Sequence, residues 1–208
     1  MDLPRDKDYF VRLQVSDPDE VRLECGDITK CSADAIVNAA NSELLPGGGV
    51  CGAIYRAAGP AIADDCRRIN LERGPVPPGQ AVATTAGLLP TKYVIHTVGP
   101  VWHGGREGEA EVLASCYRES MRIADELGLH SIAFPAVSTG IFGYPVEKAA
   151  RVAVPTVLES LRTAKHLTRA FLVLYDRATL DVFARIAMAQ RKPASGNPYE
   201  VEIGVMHE

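Results

Sequence analysis

The sequence predicts a single α/β domain, three layers deep with a mixed central sheet, over residues 1–190 with its core at about 10–190. Short apolar runs of strand length alternate with amphipathic helical stretches from residue 35 onward, the pattern of helices packed on both faces of a sheet. The chain opens differently, with a strand, a turn and a strand, so part of the sheet must run antiparallel. A length of 208 residues suits one such domain with a tail and can bury a substantial core.

Residues 10–15 and 21–25 alternate apolar and polar on either side of Ser16-Asp17-Pro18-Asp19, whose turn formers join them as a hairpin. Residues 35–38 make a short buried strand, and residues 52–69 carry helical periodicity after a glycine-rich loop. The run Gly74-Pro75-Val76-Pro77-Pro78-Gly79 breaks the chain before strands at 81–85 and 93–98. Residues 107–127 form a long amphipathic helix, with Val112, Leu113, Cys116, Met121, Ile123, Ala124 and Leu127 facing inward. A strand at 132–137, a helix at 146–161, a strand at 170–175 and a helix at 178–190 finish the alternation. The tail, 191–208, contains Pro193-Ala194-Ser195-Gly196-Asn197-Pro198 and reads as loose, with an edge strand added by residues 199–203 as the alternative.

Composition narrows the function classes. With 47% hydrophobic and 23% charged residues the chain reads as globular, and no apolar run approaches the roughly 18 residues of a membrane span. Residues 1–8 are charged and lack the apolar core of a signal peptide, so a cytoplasmic, membrane-free protein is expected. A net charge of −4 supplies no basic field for gripping nucleic acid. The five cysteines are odd in number and lack C-x-x-C spacing, as reduced thiols would be. Neither they nor the five histidines show metal-ligand spacing, so no metal and no cofactor are expected. A monomer is the expected state.

The chemistry concentrates in two loops. Leu45-Pro46-Gly47-Gly48-Gly49-Val50-Cys51-Gly52 follows a strand and runs into a helix; three consecutive glycines let backbone N–H groups approach an anion that the helix dipole also favours. Ser138-Thr139-Gly140-Ile141-Phe142-Gly143-Tyr144-Pro145 repeats the strand, loop, helix order. Two backbone clamps on one nucleotide-like ligand are implied, since open α/β sheets bind at the carboxyl ends of their strands. Gly47-x-Gly49-x-x-Gly52 also matches the dinucleotide fingerprint, but its first glycine stands too far from the strand. Asp64 and Asp65, at the spacing of the ribose-binding acid, lie in a helical pattern. His96, within an apolar strand, reads as a core histidine; Trp102 and His103 form either a rim over the site or a surface turn.

With these loops in place, the chain resembles the macrodomains, the ADP-ribose-binding fold, and most closely their MacroD branch of ADP-ribosyl hydrolases. The matching segments are Gly26-Asp27-Ile28-Thr29, residues 34–42, residues 47–60, residues 93–100 and residues 133–145, all in family order. The resemblance implies that Asp27 accepts from the adenine amino group with the Ile28 backbone beside it, and that Asn41 orients the distal ribose. It implies that Gly48, Gly49, Val50 and the loop of Ser138, Thr139, Gly140, Ile141 and Phe142 bind the diphosphate, with Phe142 against the distal ribose. Taken alone, Asp27 also reads as a loop or cap carboxylate and Asn41 as an Asx turn.

Cys51 departs from the family pattern, which places an aspartate there to position the attacking water. A thiol is a poor substitute for a carboxylate. Three outcomes are open: hydrolysis oriented by Asn41 and the phosphate loops with a substrate phosphate accepting the proton, catalysis by a Cys51 thiolate, or binding without hydrolysis. The resemblance implies removal of mono-ADP-ribose from acidic side chains of modified proteins, with O-acetyl-ADP-ribose as a related substrate. The alternative is an ADP-ribose reader, followed by a phosphoesterase acting on an ADP-ribose phosphate. ADP-ribose and mono-ADP-ribosylated proteins are the partners implied.

Overall fold

The computed structural model describes residues 3–4, 8–189 and 199–206. Strands β1 (Tyr9–Gln14) and β2 (Glu20–Cys25) form the opening hairpin, with Leu13 opposite Val21. They are followed by β3 (Ala35–Ala40), α1 (Gly49–Ala58), α2 (Pro60–Arg73), β4 (Ala81–Thr85) and β5 (Tyr93–Val98). Then come α3 (Glu109–Glu126), β6 (Ser131–Phe134), α4 (Val146–Thr163), β7 (Arg169–Leu174), α5 (Arg177–Ala189) and β8 (Glu200–Val205). Of the tail expected to be loose, residues 191–198 lie outside the described residues, while Glu200–Val205 form β8, as the edge-strand alternative has it.

The eight strands form one sheet in the order β4-β5-β3-β6-β7-β2-β1-β8. The five central strands, β5, β3, β6, β7 and β2, are parallel, and the outer pairings are antiparallel. Both faces of the centre are covered, which is why β3 and β6 read as mostly apolar runs: Ile36, Val37, Ile132 and Ala133 have no solvent exposure. One face packs against α3, α4 and α5 through Leu113, Tyr117, Val154, Leu158 and Phe183; the other packs against α1 and α2 through Ile54, Ile62 and Cys66. Because β3 and β6 are parallel neighbours, the loops leaving their carboxyl ends emerge side by side.

Local departures from the sequence reading have local causes. The single helix expected at 52–69 is two, because Gly59 takes φ 76° and Pro60, lacking an N–H, starts α2. Helical periodicity runs through the break, so period alone does not reveal it. Strand β6 stops at Phe134, ahead of Pro135. Helix α3 starts at Glu109 because Gly108 is left-handed, and Leu127, expected inward, is exposed at its C-cap. Strand β8 extends β1 antiparallel, with Gly204 opposite Phe10; a side chain at 204 would collide with the Phe10 ring. Among the described residues no helix is long and apolar enough to cross a membrane.

Candidate functional site

A cleft opens where the two glycine loops face one another. It is lined by Asn41 and residues 47–51 from the first loop, by Ala136, Ser138 and residues 140–142 from the second, and by Ala39, Ala40 and Gly99. Asn41 holds the first loop in shape: its Nδ2 donates to the Leu45 carbonyl at 2.8 Å and its Oδ1 accepts the Leu45 N–H at 3.0 Å. It therefore occupies the Asx-type position, while each polar atom keeps a further hydrogen-bonding capacity. Gly52 has to be glycine, since a Cβ there would fall on the Gly47 carbonyl oxygen. Gly48 is extended, and a Cβ on it would stand 3.2 Å from Cδ1 of Ile141, so the two loops meet across the cleft.

The second loop is held by Thr139 Oγ1 donating to the Ala136 carbonyl (2.8 Å), Gly143 N–H to Gly140 (2.9 Å) and Tyr144 N–H to Ser138 (3.0 Å). Ser138 sits at φ 66°, strained for a residue with a side chain, and its buried hydroxyl has no partner. Among the described residues, the N–H groups of Gly48, Gly140, Ile141 and Phe142 donate to no protein acceptor. With the first N–H groups of α1 they form a set of free donors around one space, as an anionic ligand requires. Phe142 is half-buried at the cleft wall.

Three of the residues singled out in the sequence lie outside this lining: Asp27, Ile28 and Thr139. Asp27 caps the short 3-10 turn Ile28–Lys30, its Oδ1 accepting Thr29 Oγ1 at 2.7 Å and Thr29 N–H at 3.0 Å. The Thr29 hydroxyl leads in holding this carboxyl below the usual carboxylate range. Ile28 is buried against the α1–α2 side of the core. The sequence reading gives no role to Tyr175, which also lies outside the lining. It is 88% exposed, one residue past β7, whose neighbour β2 runs into Gly26 and Asp27; the Cys25 thiol donates to its carbonyl at 3.8 Å. The parallel β2–β7 register thus brings the backbone of Tyr175 beside the segment that leads to the exposed Asp27, and the sequence signal is an aromatic at a strand end.

Beneath the first loop runs a buried polar chain. Cys51, 5% exposed, directs its thiol to the Leu45 carbonyl at 3.7 Å and receives the Asn38 amide at 3.6 Å. Asn38 Nδ2 also lies 3.0 Å from His96 Nδ1, and His96 Nε2 lies 2.8 Å from Thr84 Oγ1 and 3.8 Å from Cys66 Sγ. Tyr55 donates its hydroxyl to the Leu44 carbonyl and lies 3.1 Å from Cys66 Sγ. Burial pushes the His96 imidazole down to about 4, so it is neutral, accepting at Nδ1 and donating from Nε2. Burial raises the Cys66 thiol and the Tyr55 phenol. No carboxylate or imidazole lines the cleft among the described residues.

The Macro domain family model matches residues 37–153. An O-acetyl-ADP-ribose deacetylase of Klebsiella pneumoniae is 52% identical over 161 residues, 77% of this chain and 92% of that protein. A Macro domain-containing protein of Streptomyces coelicolor is 54% identical over 79% of this chain and 96% of its own length. Among solved structures, the Oceanobacillus iheyensis macrodomain with ADP superposes with a TM-score of 0.82 at 34% identity, covering 86% of this chain and 95% of that one. The Trypanosoma brucei macrodomain in complex with ADP-ribose gives 0.72 at 36% identity, over 78% and 67% of the two chains.

Proposed function

This chain belongs to the macrodomain family, and from that membership we propose that it hydrolyses esters of ADP-ribose: O-acetyl-ADP-ribose, and mono-ADP-ribose joined to acidic side chains of proteins. The observation that carries the reading is the pair of glycine loops whose unpartnered N–H groups converge on one cleft. The diphosphate lies between them, and the adenine reaches toward Asp27 and stacks on Tyr175. The distal ribose lies by Asn41 and Phe142, which puts the ester at the Cys51 end. Names of relatives and ligands of structural neighbours support the same substrate class.

Catalysis in this reading is positional. Among the described residues the cleft holds no side-chain carboxylate, so water is oriented by Asn41 and the loop backbone, and a diphosphate oxygen accepts its proton. In the protein substrate the water oxygen bonds to the anomeric carbon as the carboxylate departs; in O-acetyl-ADP-ribose it adds to the acetyl carbonyl, and the bond to the ribose oxygen then breaks, that oxygen taking back the proton, to give acetate and ADP-ribose. Cys51 serves as a small hydrogen-bonded residue beneath the loop. One observation favours a second reading, a reader that binds without cutting: Cys51 stands where the family usually carries the acid, and nothing else in the lining replaces it.

The deciding experiment incubates wild type, Cys51→Ala, Cys51→Asp and Asn41→Ala with a glutamate-linked mono-ADP-ribosylated protein and with O-acetyl-ADP-ribose. Turnover by wild type and Cys51→Ala, with loss in Asn41→Ala, is expected. Tight ADP-ribose binding with intact substrates, rescued only by Cys51→Asp, identifies a reader. Release of inorganic phosphate from an ADP-ribose phosphate defeats both readings.

A further inference from the structure

Residues 103–108, between β5 and α3, are exposed throughout, yet the segment closes around one buried carboxylate. Glu109, the first residue of α3, is 3% exposed; its Oε1 accepts the N–H groups of Gly105 (2.9 Å) and His103 (3.1 Å), and its Oε2 accepts that of Glu107 (2.7 Å). An acid in a helix's first turn ordinarily faces solvent and gains from the dipole. A buried one is tolerated only when its oxygens are hydrogen-bonded, and here the bonds go mainly to the preceding loop. Its own N–H and those three together hold the carboxyl at about 2, so it is ionised at neutral pH.

The loop so held reaches the cleft. Gly105, at φ 81°, lies against the Trp102 indole; a Cβ there would stand 2.6 Å from Cη2. Trp102 packs on Tyr144 with ring centroids 4.6 Å apart, Lys148 Nζ lies 4.9 Å over the indole, and the Trp102 backbone N–H donates to the Phe142 carbonyl at 2.9 Å. Tyr144 in turn closes the second glycine loop on Ser138.

We propose that Glu109 is a positioning residue for ADP-ribose: its carboxylate fixes the 103–107 backbone, that backbone seats Trp102, and Trp102 fixes the Phe142 carbonyl and the donor loop around it. This rests on the ligand reading above. Asp125, at the far end of α3, provides the matched comparison. It too accepts three loop N–H groups, from Lys165 (3.0 Å), His166 (2.7 Å) and Leu167 (3.0 Å), but that loop leads into the start of β7, at the amino ends of the parallel strands, opposite the cleft.

Glu109→Gln turns its amide NH2 against the Glu107 N–H, and Asp125→Asn turns its own against the Lys165 N–H while Oδ1 keeps the three acceptances, so both lose stability, the second less, and only one of the two loops touches the ligand loop. The test measures ADP-ribose affinity by calorimetry and Trp102 amide exchange by NMR on the full chain. Glu109→Gln is expected to weaken binding about tenfold and speed Trp102 exchange, with Asp125→Asn within about twofold of wild type. Gly105→Ala keeps the carboxylate but displaces Trp102, and is expected to reproduce the loss; it decides the matter if Glu109→Gln does not fold. Wild-type affinity in Glu109→Gln or, failing that variant, in Gly105→Ala overturns the proposal and leaves the ligand reading standing, as does an equal loss in Asp125→Asn. A wild-type chain that does not bind ADP-ribose defeats the ligand reading itself, and the proposal with it.

Discussion

Asn38 and His96 sit on adjacent parallel strands at matched register, and the Asn38 amide nitrogen lies 3.0 Å from His96 Nδ1 with neither side chain exposed to solvent. This pair joins the thiol of the cleft to the core of the sheet. Its imidazole has to stay neutral, because a proton on Nδ1 would confront the Asn38 donor.

That requirement makes stability depend on pH. The imidazole is at about 4 in the fold against 6.5 when unfolded. Between these values the unfolded chain takes up a proton that the native chain refuses, so stability falls as pH drops from 6.5 toward 4, by about 3 kcal/mol, and this contribution levels off below. Urea unfolding of wild type and His96→Gln at pH 7 and pH 4.5 checks it. The gap between the two should narrow at the lower pH; a constant gap refutes the assignment.

Gly48 and Gly52 separate binding from folding. Gly48 is extended and its neighbour across the cleft is the end of the exposed Ile141 side chain, so Gly48→Val should leave stability within about 0.5 kcal/mol of wild type. It should also fill the gap between the loops and reduce ADP-ribose affinity at least tenfold. Gly52→Ala strikes the Gly47 carbonyl, backbone against side chain, and should cost about 1–3 kcal/mol as well as affinity. Thermal melts and calorimetry on both variants read the contrast.

Tyr175 is expected to contribute through its ring. Base stacking on an aromatic is worth about 1–3 kcal/mol, so Tyr175→Ala should weaken ADP-ribose binding by about tenfold or more while Tyr175→Phe is neutral. Because the ring is already exposed, the melting temperature should not move in either variant. Equal affinity in wild type and Tyr175→Ala removes the residue from the site.

Asn41→Ala distinguishes orientation from bracing. Losing two bonds to Leu45 should cost about 2 kcal/mol of stability. If Asn41 also orients the reacting ribose, kcat should fall about 100-fold with a smaller change in ADP-ribose affinity. A parallel loss of kcat and affinity would mean that the side chain only shapes the loop.

Much of this molecule was legible in its sequence, because the fold rests on periodicities of local residues: the alternating hairpin, the mostly apolar strands, the glycine loops that follow β3 and β6. The facing of residues 47–51 and 138–142 followed from the rule for parallel sheets. The buried chain was not legible. Asn38, Tyr55, Cys66, Thr84 and His96 belong to five different elements, and it takes the β3–β5 and β4–β5 pairings, with the packing of α1 and α2 on the sheet, to bring them together. Glu109 was hidden for a different reason: an acid at a helix start has the same sequence pattern whether it faces water or holds a loop. Tyr175 reads as the last residue of a strand at 170–175, a position that says nothing of a ligand, whereas β7 ends at Leu174 and leaves its ring exposed.

The β3–β6 pairing has a kinetic consequence. Ala35 is paired with Ile132 and Ile36 with Ala133, so the two halves of the cleft are carried by segments almost a hundred residues apart in the chain. A nascent or truncated chain that has made only its first strands and α1 owns one glycine loop and no opposing wall. Contacts of such long range form slowly and late. Competence to capture ligand is therefore acquired only when the middle of the sheet has closed, which makes ligand capture during refolding a direct clock for that event.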